Sequence, residues 1–543
     1  MKRAGVIARL LHGTGAGAVA YGLGIVSNLL LLPLYLRLWS VAAYGEWMAL
    51  YSVVNYLANL DFGVTTAAIN AATMAYAAKD WDTFKRVQGT AWTTSLLIAG
   101  LGGVLVITSS LFYFRVNRWL GLTVLSQRDA RLVFCGLAVS LLANIPGRQL
   151  IAVYIAIGEF AKYQWIYNAF ALLTCIDTAI ALSMGAGPVA LSVVIACSTL
   201  FTIVFSAWFL DRQGIGLLPH IRDSDWRTAR NLAAPTSQFG LSMIASALTL
   251  QGPVVILSHA LGGPAVALFT TTRTVSNVVR GTVVLLRAPL RPELGAASAR
   301  PSKDSLRRLF RIAVGIDAAI SISLSAVLWS GGAWLIQFWS HGRIHTDPML
   351  LHLLLIVVAL EGFLQVLAIS GTSTNRLQAV SLGQLATAII SLILAIALLG
   401  RMGPSAIPFA TIVPLIAIMT PLVVRNARSE AHLTLRYVVG RLLLPFLLLA
   451  AFTIAFPAWI TSLGITPTWL GAVISAVGTC ILAFFTAGSV FLTSDDRNEV
   501  RKRLLHLFRK THHGVFARET PAPFSPAFED EQSTATPALW PKG

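Results

Sequence analysis

The amino-acid sequence predicts an all-α polytopic membrane protein of about fourteen transmembrane helices, arranged as two six-helix lobes around a central cavity with two extra C-terminal helices. Three observations predict it. Of the 543 residues, 56% are hydrophobic and 12% charged, and the mean hydropathy is +0.71, too little polar surface to cover a soluble domain. The apolar residues gather in runs of about 17–25, the length that crosses a hydrocarbon core as a helix. An echo at an offset of roughly 220 residues, equal to six spans, suggests repeated halves related by an axis along the membrane normal. In that echo Pro33 opens a run ending in Ser52-Val53-Val54-Asn55, Pro253 opens one ending in Thr274-Val275-Ser276-Asn277, and Lys85-Arg86 answers Arg307-Arg308.

Taken in order, the apolar runs begin near Gly15, Tyr44, Thr90, Ala130, Gln164, Val189, Thr236, Pro264, Arg311, Pro348, Leu377, Ile407, Leu442 and Trp469. The first is read as a span and not a cleaved signal, because the run after Lys2, Arg3 and Arg9 continues into Pro33 and Arg37 with no small-residue cleavage site. The expected domains are an N-terminal six-helix lobe over residues 1–220, a C-terminal six-helix lobe over 221–430, two additional helices over 431–494, and a cytoplasmic tail over 495–543. The basic, Pro- or Gly-punctuated stretches Asp211 to Pro235 and Arg291 to Leu306 are the expected half-to-half linker and mobile helix end. The tail begins with Val500, Leu504, Leu507 and Phe508 at helical spacing among basic residues, which predicts an amphipathic helix on an anionic membrane surface. Pro, Ala, Ser, Thr and acid then predict disorder from Glu519 onward.

Orientation follows from the cations. With the N-terminus in the cytoplasm, about 31 of the 41 Lys and Arg fall in cytoplasmic segments and about seven in exoplasmic loops. Arg115, Arg118, Arg128 and Arg131 dissent and are outvoted, so both termini are expected in the cytoplasm, with the chain in a bacterial inner membrane. The net charge of +18 is then loop retention against an anionic leaflet, not a nucleic-acid footprint.

Catalytic chemistry has no visible home. There is no GxxxxGK[ST] phosphate loop, no HExxH and no zinc-spaced cysteine pair, and no loop is long enough to fold as a catalytic domain, so neither an enzyme, a cofactor nor a metal is expected. His341 and His345 beside Asp347, and His512-His513, read as solvated loop and tail residues. Cys135, Cys175, Cys197 and Cys480 all fall inside spans and read as buried small hydrophobes.

Charge inside the spans is the informative remainder. Between Pro264 and Leu290, Arg273, Arg280 and Arg287 recur every seven residues, with Arg291 one turn on. The four lie within an arc of roughly 40° along ~27 Å of helix. An arginine at mid-membrane costs about 2.5–3.5 kcal/mol, so the inner members are expected to face a central cavity or an acid and not lipid. Arg148 is a further intramembrane cation, and Asp61, Asp177, Asp317 and Glu361 are the intramembrane acids, read as ion-pair or coupling groups. Asp61 in Leu60-Asp61-Phe62-Gly63 is suited to capping a helix that breaks and restarts at Gly63. Asp177 is placed to bond Thr174 or pair with Arg148, while Asp317 or Glu361 is placed to neutralise Arg273 or Arg280 or to carry a coupling proton.

Tyr44-Gly45-Glu46-Trp47, Leu60-Asp61-Phe62-Gly63-Val64 with Asn70, and Arg273-Thr274-Val275-Ser276-Asn277 with Pro292-Glu293-Leu294 resemble the polysaccharide-transport branch of the multidrug/oligosaccharidyl-lipid/polysaccharide exporter superfamily, which includes Wzx-type flippases. The resemblance covers the first twelve spans. It implies a two-lobed helical fold, a central cationic cavity and alternating access that turns a polyprenyl-pyrophosphate-linked glycan, an O-antigen or exopolysaccharide repeat unit, across the membrane. Implied partners are that glycan, membrane lipids and other polysaccharide-assembly membrane proteins, and no nucleic acid. A guanidinium row suits such a cargo because it binds phosphate oxygens through paired hydrogen bonds. Tyr51, Asn55, Tyr56, Asn70, Trp92, Gln238, Asn277 and Gln365 are the expected glycan contacts. The competing readings are an ion-coupled antiporter exporting a small amphiphile or metabolite, which calls for an acid-dominated cavity, and a membrane glycan polymerase or ligase, which calls for a sizeable exoplasmic loop.

Overall fold

The computed structural model describes residues 6–112, 115–212, 217–287, 303–373, 377–430, 434–451, 455 and 469–491. The tail after residue 491, with its expected amphipathic helix, lies outside the described residues, as do Arg291 and Pro292-Glu293-Leu294. The described chain is helical throughout: α1 (Val6–Leu38), α2 (Val41–Leu57), α3 (Val64–Ala77), α4 (Trp81–Phe112), α5 (Val116–Leu120), α6 (Gln127–Ala156), α7 (Phe160–Ser183), α8 (Pro188–Arg212), α9 (Trp226–Leu261), α10 (Gly263–Arg287), α11 (Lys303–Trp339), α12 (Pro348–Ser373), α13 (Leu377–Met402), α14 (Ala406–Pro414), α15 (Thr420–Glu430), α16 (Leu435–Tyr437) and α17 (Trp469–Phe491). Every one of the expected span starts falls inside a helical segment.

Among the described residues, nine helices are long and apolar enough to cross a bilayer. The difference from fourteen has local causes. The second span is broken into α2 and α3, polar residues dilute α10, the run from Ala379 to Arg428 counts as one although a tight turn at Gly403–Ser405 divides it, and the last two spans are only partly described. The protein is therefore an all-α, multi-pass membrane protein.

Two expectations need correction. The stretch from Asp211 to Pro235 is not simply a linker: Asp225 accepts from the Thr228 amide at 3.0 Å and starts α9 at Trp226, so the helix runs through Pro235. The cysteines are not buried small hydrophobes either. Cys197 is exposed, on a helix face where a small apolar thiol needs no protein cover, and Cys135, Cys175 and Cys480 are half-buried, Cys175 lining a cavity and Cys135 lying against the Ser110 hydroxyl.

The break in the second span follows from its sequence. Phe62 and Gly63 take positive φ of 44° and 90°, the latter a conformation open to glycine, and Asp61 Oδ1 accepts from the Gly63 amide at 3.3 Å while the Asp61 carbonyl accepts from Val64 at 2.8 Å. Helix α9 passes so close to this corner that a Cβ at Gly240 would sit 2.9 Å from the Phe62 carbonyl. A π-helical turn over Leu415–Met419 follows Pro414, and Thr420 donates back to the Leu415 carbonyl at 2.9 Å.

Packing divides the core. One apolar cluster surrounds Leu50, Leu137 and Leu182, and another Val87, Leu150 and Tyr154, both built mainly from α1–α8. Beyond Trp226, clusters form around Phe310, Phe363 and Phe446 and around Leu257, Leu354 and Ala410. A further cluster joins Leu32, Leu36 and Tyr44 to Ala267, Ile336 and Trp339, so early and late helices meet there. At that same end α2 crosses α10 with no side chains between them: a Cβ at Gly45 would collide with the Gly263 carbonyl. Beside the crossing, Glu46 is fully buried, and its carboxylate accepts from the amides of Thr123 (2.6 Å), Val124 (2.8 Å) and Leu125 (2.8 Å). Three amide donors replace the water a buried carboxylate loses, so Glu46 fastens the connection between α5 and α6.

Candidate functional site: two arginine-bearing cavities

Helix α10 carries the arginine row, and the structure gives its members different surroundings. Arg273 lays its guanidinium 5.2 Å from the Phe269 ring centroid and donates through Nη1 to the Leu250 carbonyl at 2.5 Å. That carbonyl belongs to the turn of α9 loosened by Pro253, which has no amide hydrogen for Thr249. Two turns on, Arg280 Nη2 meets Glu361 Oε2 of α12 at 2.7 Å, with the two side chains 29% and 17% exposed. Arg280 Nε is buried without a hydrogen-bond partner among the described residues. Arg287 ends α10, but its side chain lies outside the described residues.

Arg280 and Glu361 line a cavity of about 220 Å³ between α9, α10, α12, α13 and α14, together with Ser246, Thr249, Gln365 and Gln384. Its charge is balanced. Asp317 of α11 is 1% exposed and lies against the same helix as Glu361, its Oδ2 2.9 Å from where a Cβ of Gly362 would stand.

Arg148 stands elsewhere. It lines a cavity of about 470 Å³ between α1, α2, α6, α7 and α8, so the structure brings Arg280 and Glu361 together and places Arg148 and Arg280 in different cavities. Asp177 lines neither. Thr174 bonds the Phe170 carbonyl at 3.0 Å and not Asp177, and among the described residues Asp177 forms no ion pair with Arg148. Asp61 is 2% exposed and occupied with the helix break. Of the expected glycan contacts, Tyr51 lines the Arg148 cavity and Gln365 the Arg280 cavity; Asn55, Tyr56, Asn70, Trp92 and Asn277 line neither, and the Gln238 side chain lies outside the described residues. Among the described residues no group of three or more His, Cys, Asp or Glu is placed to hold a metal ion.

Sequence reasoning missed the residues that hold this frame. Tyr21 of α1 donates to the Val278 carbonyl at 2.7 Å and packs its ring on Gly281, next to Arg280. Arg343 donates to the Leu36 carbonyl, one of the acceptors orphaned at the end of α1. Glu46 stood in a noticed motif without a role, and the available signal was an acid inside an apolar run.

No known family pattern matches the sequence, and no curated protein matches it. Comparison of folds is informative. The chain superposes on the lipid II flippase MurJ in an inward closed conformation with a TM-score of 0.66 and 13% identity, covering 88% of this chain and 98% of that one. It superposes on an inward-facing multidrug-resistance MATE transporter of the MOP superfamily with a TM-score of 0.62 and 14% identity, over 78% of this chain and 98% of the other. The fold is that of the MOP transporters. A MOP-superfamily transporter from Pyrococcus furiosus, described as having a binding pocket of reversed polarity, also shares the fold, at a TM-score of 0.55, 15% identity and coverage of 78% and 96%. Within the MOP fold, then, this chain carries an arginine in each of two largely apolar cavities.

Proposed function

We propose that this chain is a flippase that carries a polyprenyl-pyrophosphate-linked oligosaccharide, an O-antigen or exopolysaccharide repeat unit, across a bacterial inner membrane by alternating access between two six-helix lobes, with both termini in the cytoplasm. The observation that carries the reading is the arginine inside each cavity of a MOP-type bundle. A pyrophosphate and its glycan need cationic and hydrogen-bonding surface to cross hydrocarbon, whereas the prenyl chain stays in lipid. The fold shared with a lipid II flippase supports a lipid-linked cargo. Arg280 is the lead residue for phosphate contact in the late-helix cavity, with Arg273 two turns before it on α10 and Arg287 and Arg291 next in the sequence row.

The ion pair of Arg280 with Glu361 favours a second reading, an ion-coupled antiporter, because a charge-balanced cavity does not by itself select anions. A deletion strain separates the two. The flippase reading expects accumulation of lipid-linked oligosaccharide facing the cytoplasm, relieved by the wild-type chain and not by Arg280→Gln. Normal glycan export in the deletion strain would refute it, and full relief by Arg280→Gln would remove Arg280 from the phosphate contact.

A further inference from the structure

The cavity around Arg148 differs from the one around Arg280 in the feature that matters most to a ligand, its net charge. Among the described residues Arg148 makes no hydrogen bond and no ion pair. Asp177, the acid within the flanking helix α7, is absent from the lining. An intramembrane guanidinium without a counter-ion is costly unless water or a bound anion compensates it. At about 470 Å³ the space also falls within the range of small-molecule sites.

The rest of the lining says what kind of anion fits. Asn28 and Asn144 bring amides and Tyr51 and Tyr167 bring rings, each ring at least a third exposed, and the remaining polar surface is threonine and serine hydroxyl; Thr174, Thr199, Thr202 and Ser206 already donate to carbonyls of their own helices, as does the Asn28 amide, so these groups offer the ligand acceptor oxygens. Amides and hydroxyls exchange hydrogen bonds with sugar hydroxyls, and tyrosine offers an apolar face with a polar tip. One guanidinium matches one carboxylate in a paired, planar contact.

We propose that the Arg148 cavity is a subsite for one carboxylate-bearing sugar of the transported glycan, distinct from the Arg280 cavity. The proposal rests on the flippase reading for its cargo, but its binding test does not.

Cys175 lines the same cavity and supplies a reporter. In the full-length protein in detergent, with Cys135, Cys197 and Cys480 replaced by alanine, Cys175 is modified with an anionic sulfonatoethyl and a cationic trimethylammonioethyl methanethiosulfonate. A unit positive charge within the cavity should make the anionic reagent faster by about three- to tenfold. Arg148→Gln should abolish that preference, Arg148→Lys should keep most of it, and Arg280→Gln should leave it unchanged. Glucuronate should slow modification at concentrations where glucose does not, and only when residue 148 is cationic. Three results would overturn the proposal: Cys175 inert to both reagents, equal preference in wild type and Arg148→Gln, or protection by glucose equal to that by glucuronate. Stronger protection by inorganic pyrophosphate than by glucuronate would also overturn it and give the cavity to the lipid phosphate. None of these results alters the deletion-strain outcome, so a failed subsite and a failed flippase reading are told apart.

Discussion

The indole Nε1 of Trp339 donates to the carbonyl of Leu29 at 2.8 Å, across 310 residues of chain. Leu29 is available because its helical donor would be residue 33, and Pro33 has no amide hydrogen. The proline that interrupts α1 thus creates the acceptor that ties α1 to the end of α11. Trp339→Phe should keep the buried ring and lose about 1 kcal/mol, the net worth of one hydrogen bond. Pro33→Ala returns an amide to position 33, so in that background Trp339→Phe should cost much less. Thermal unfolding of the four proteins in detergent gives the coupling, and additive effects would show that the two residues do not share this acceptor.

The crossing of α2 and α10 makes a second prediction. Because a side chain at Gly45 would meet the Gly263 backbone, which cannot rotate away, Gly45→Ala should destabilise by about 2 kcal/mol or more. Glu46→Gln retains one acceptor oxygen but replaces the other by a donor facing buried amides, at a cost of about 2 kcal/mol. Both should lower the folded yield in membranes and leave the surviving fraction active. Wild-type melting temperatures for either variant would contradict the packing described.

Much of this was legible in the chain. Apolar runs are a property of consecutive residues, which is why every span start from Gly15 to Trp469 falls in a helix, and the Asp61–Gly63 break could be read because cap and glycine are neighbours. The arginine row was visible from its spacing. The partners were not. Glu46 reaches amides 77 to 79 residues away, Arg280 meets Glu361 and not an acid on its own helix, and Arg148 occupies a different cavity from Arg280. Each depends on which helices become neighbours, a fact no local pattern contains. The same holds for Pro33, noticed as a repeat marker and not as the residue that frees Leu29.

At the start of α9, outside the membrane-spanning stretch, Asp225 accepts from the Thr228 amide and hydroxyl, and these hydrogen bonds hold its carboxyl below the ordinary value of 3.8. A carboxyl lowered on folding stabilises fully above its unfolded value, and that stabilisation fades as pH falls through the lower folded value. The native helix start should therefore weaken only in acid, below about pH 4. Asp225→Asn preserves a cap while removing the titration, so its melting temperature should fall less between pH 5 and pH 3 than that of the wild type. An identical pH profile for the two proteins would remove Asp225 from the acid response.

The ion pair in the late-helix cavity gives the prediction with the largest contrast between variants. Arg280 and Glu361 are both mostly withdrawn from water, so removing either one leaves the other charge without its partner, a loss of about 3 kcal/mol. Arg280→Gln with Glu361→Gln removes both desolvated charges and should be more stable than either single variant, since two neutral amides can bond across the same gap. Transport separates the roles: if Arg280 contacts an anionic cargo, the double variant should fold and still fail to flip lipid-linked oligosaccharide in proteoliposomes. If Glu361 carries a coupling proton, Glu361→Gln should bind cargo and lose the response to an imposed pH gradient. A double variant that is stable and flips at the wild-type rate would reduce the pair to a structural bridge between α10 and α12.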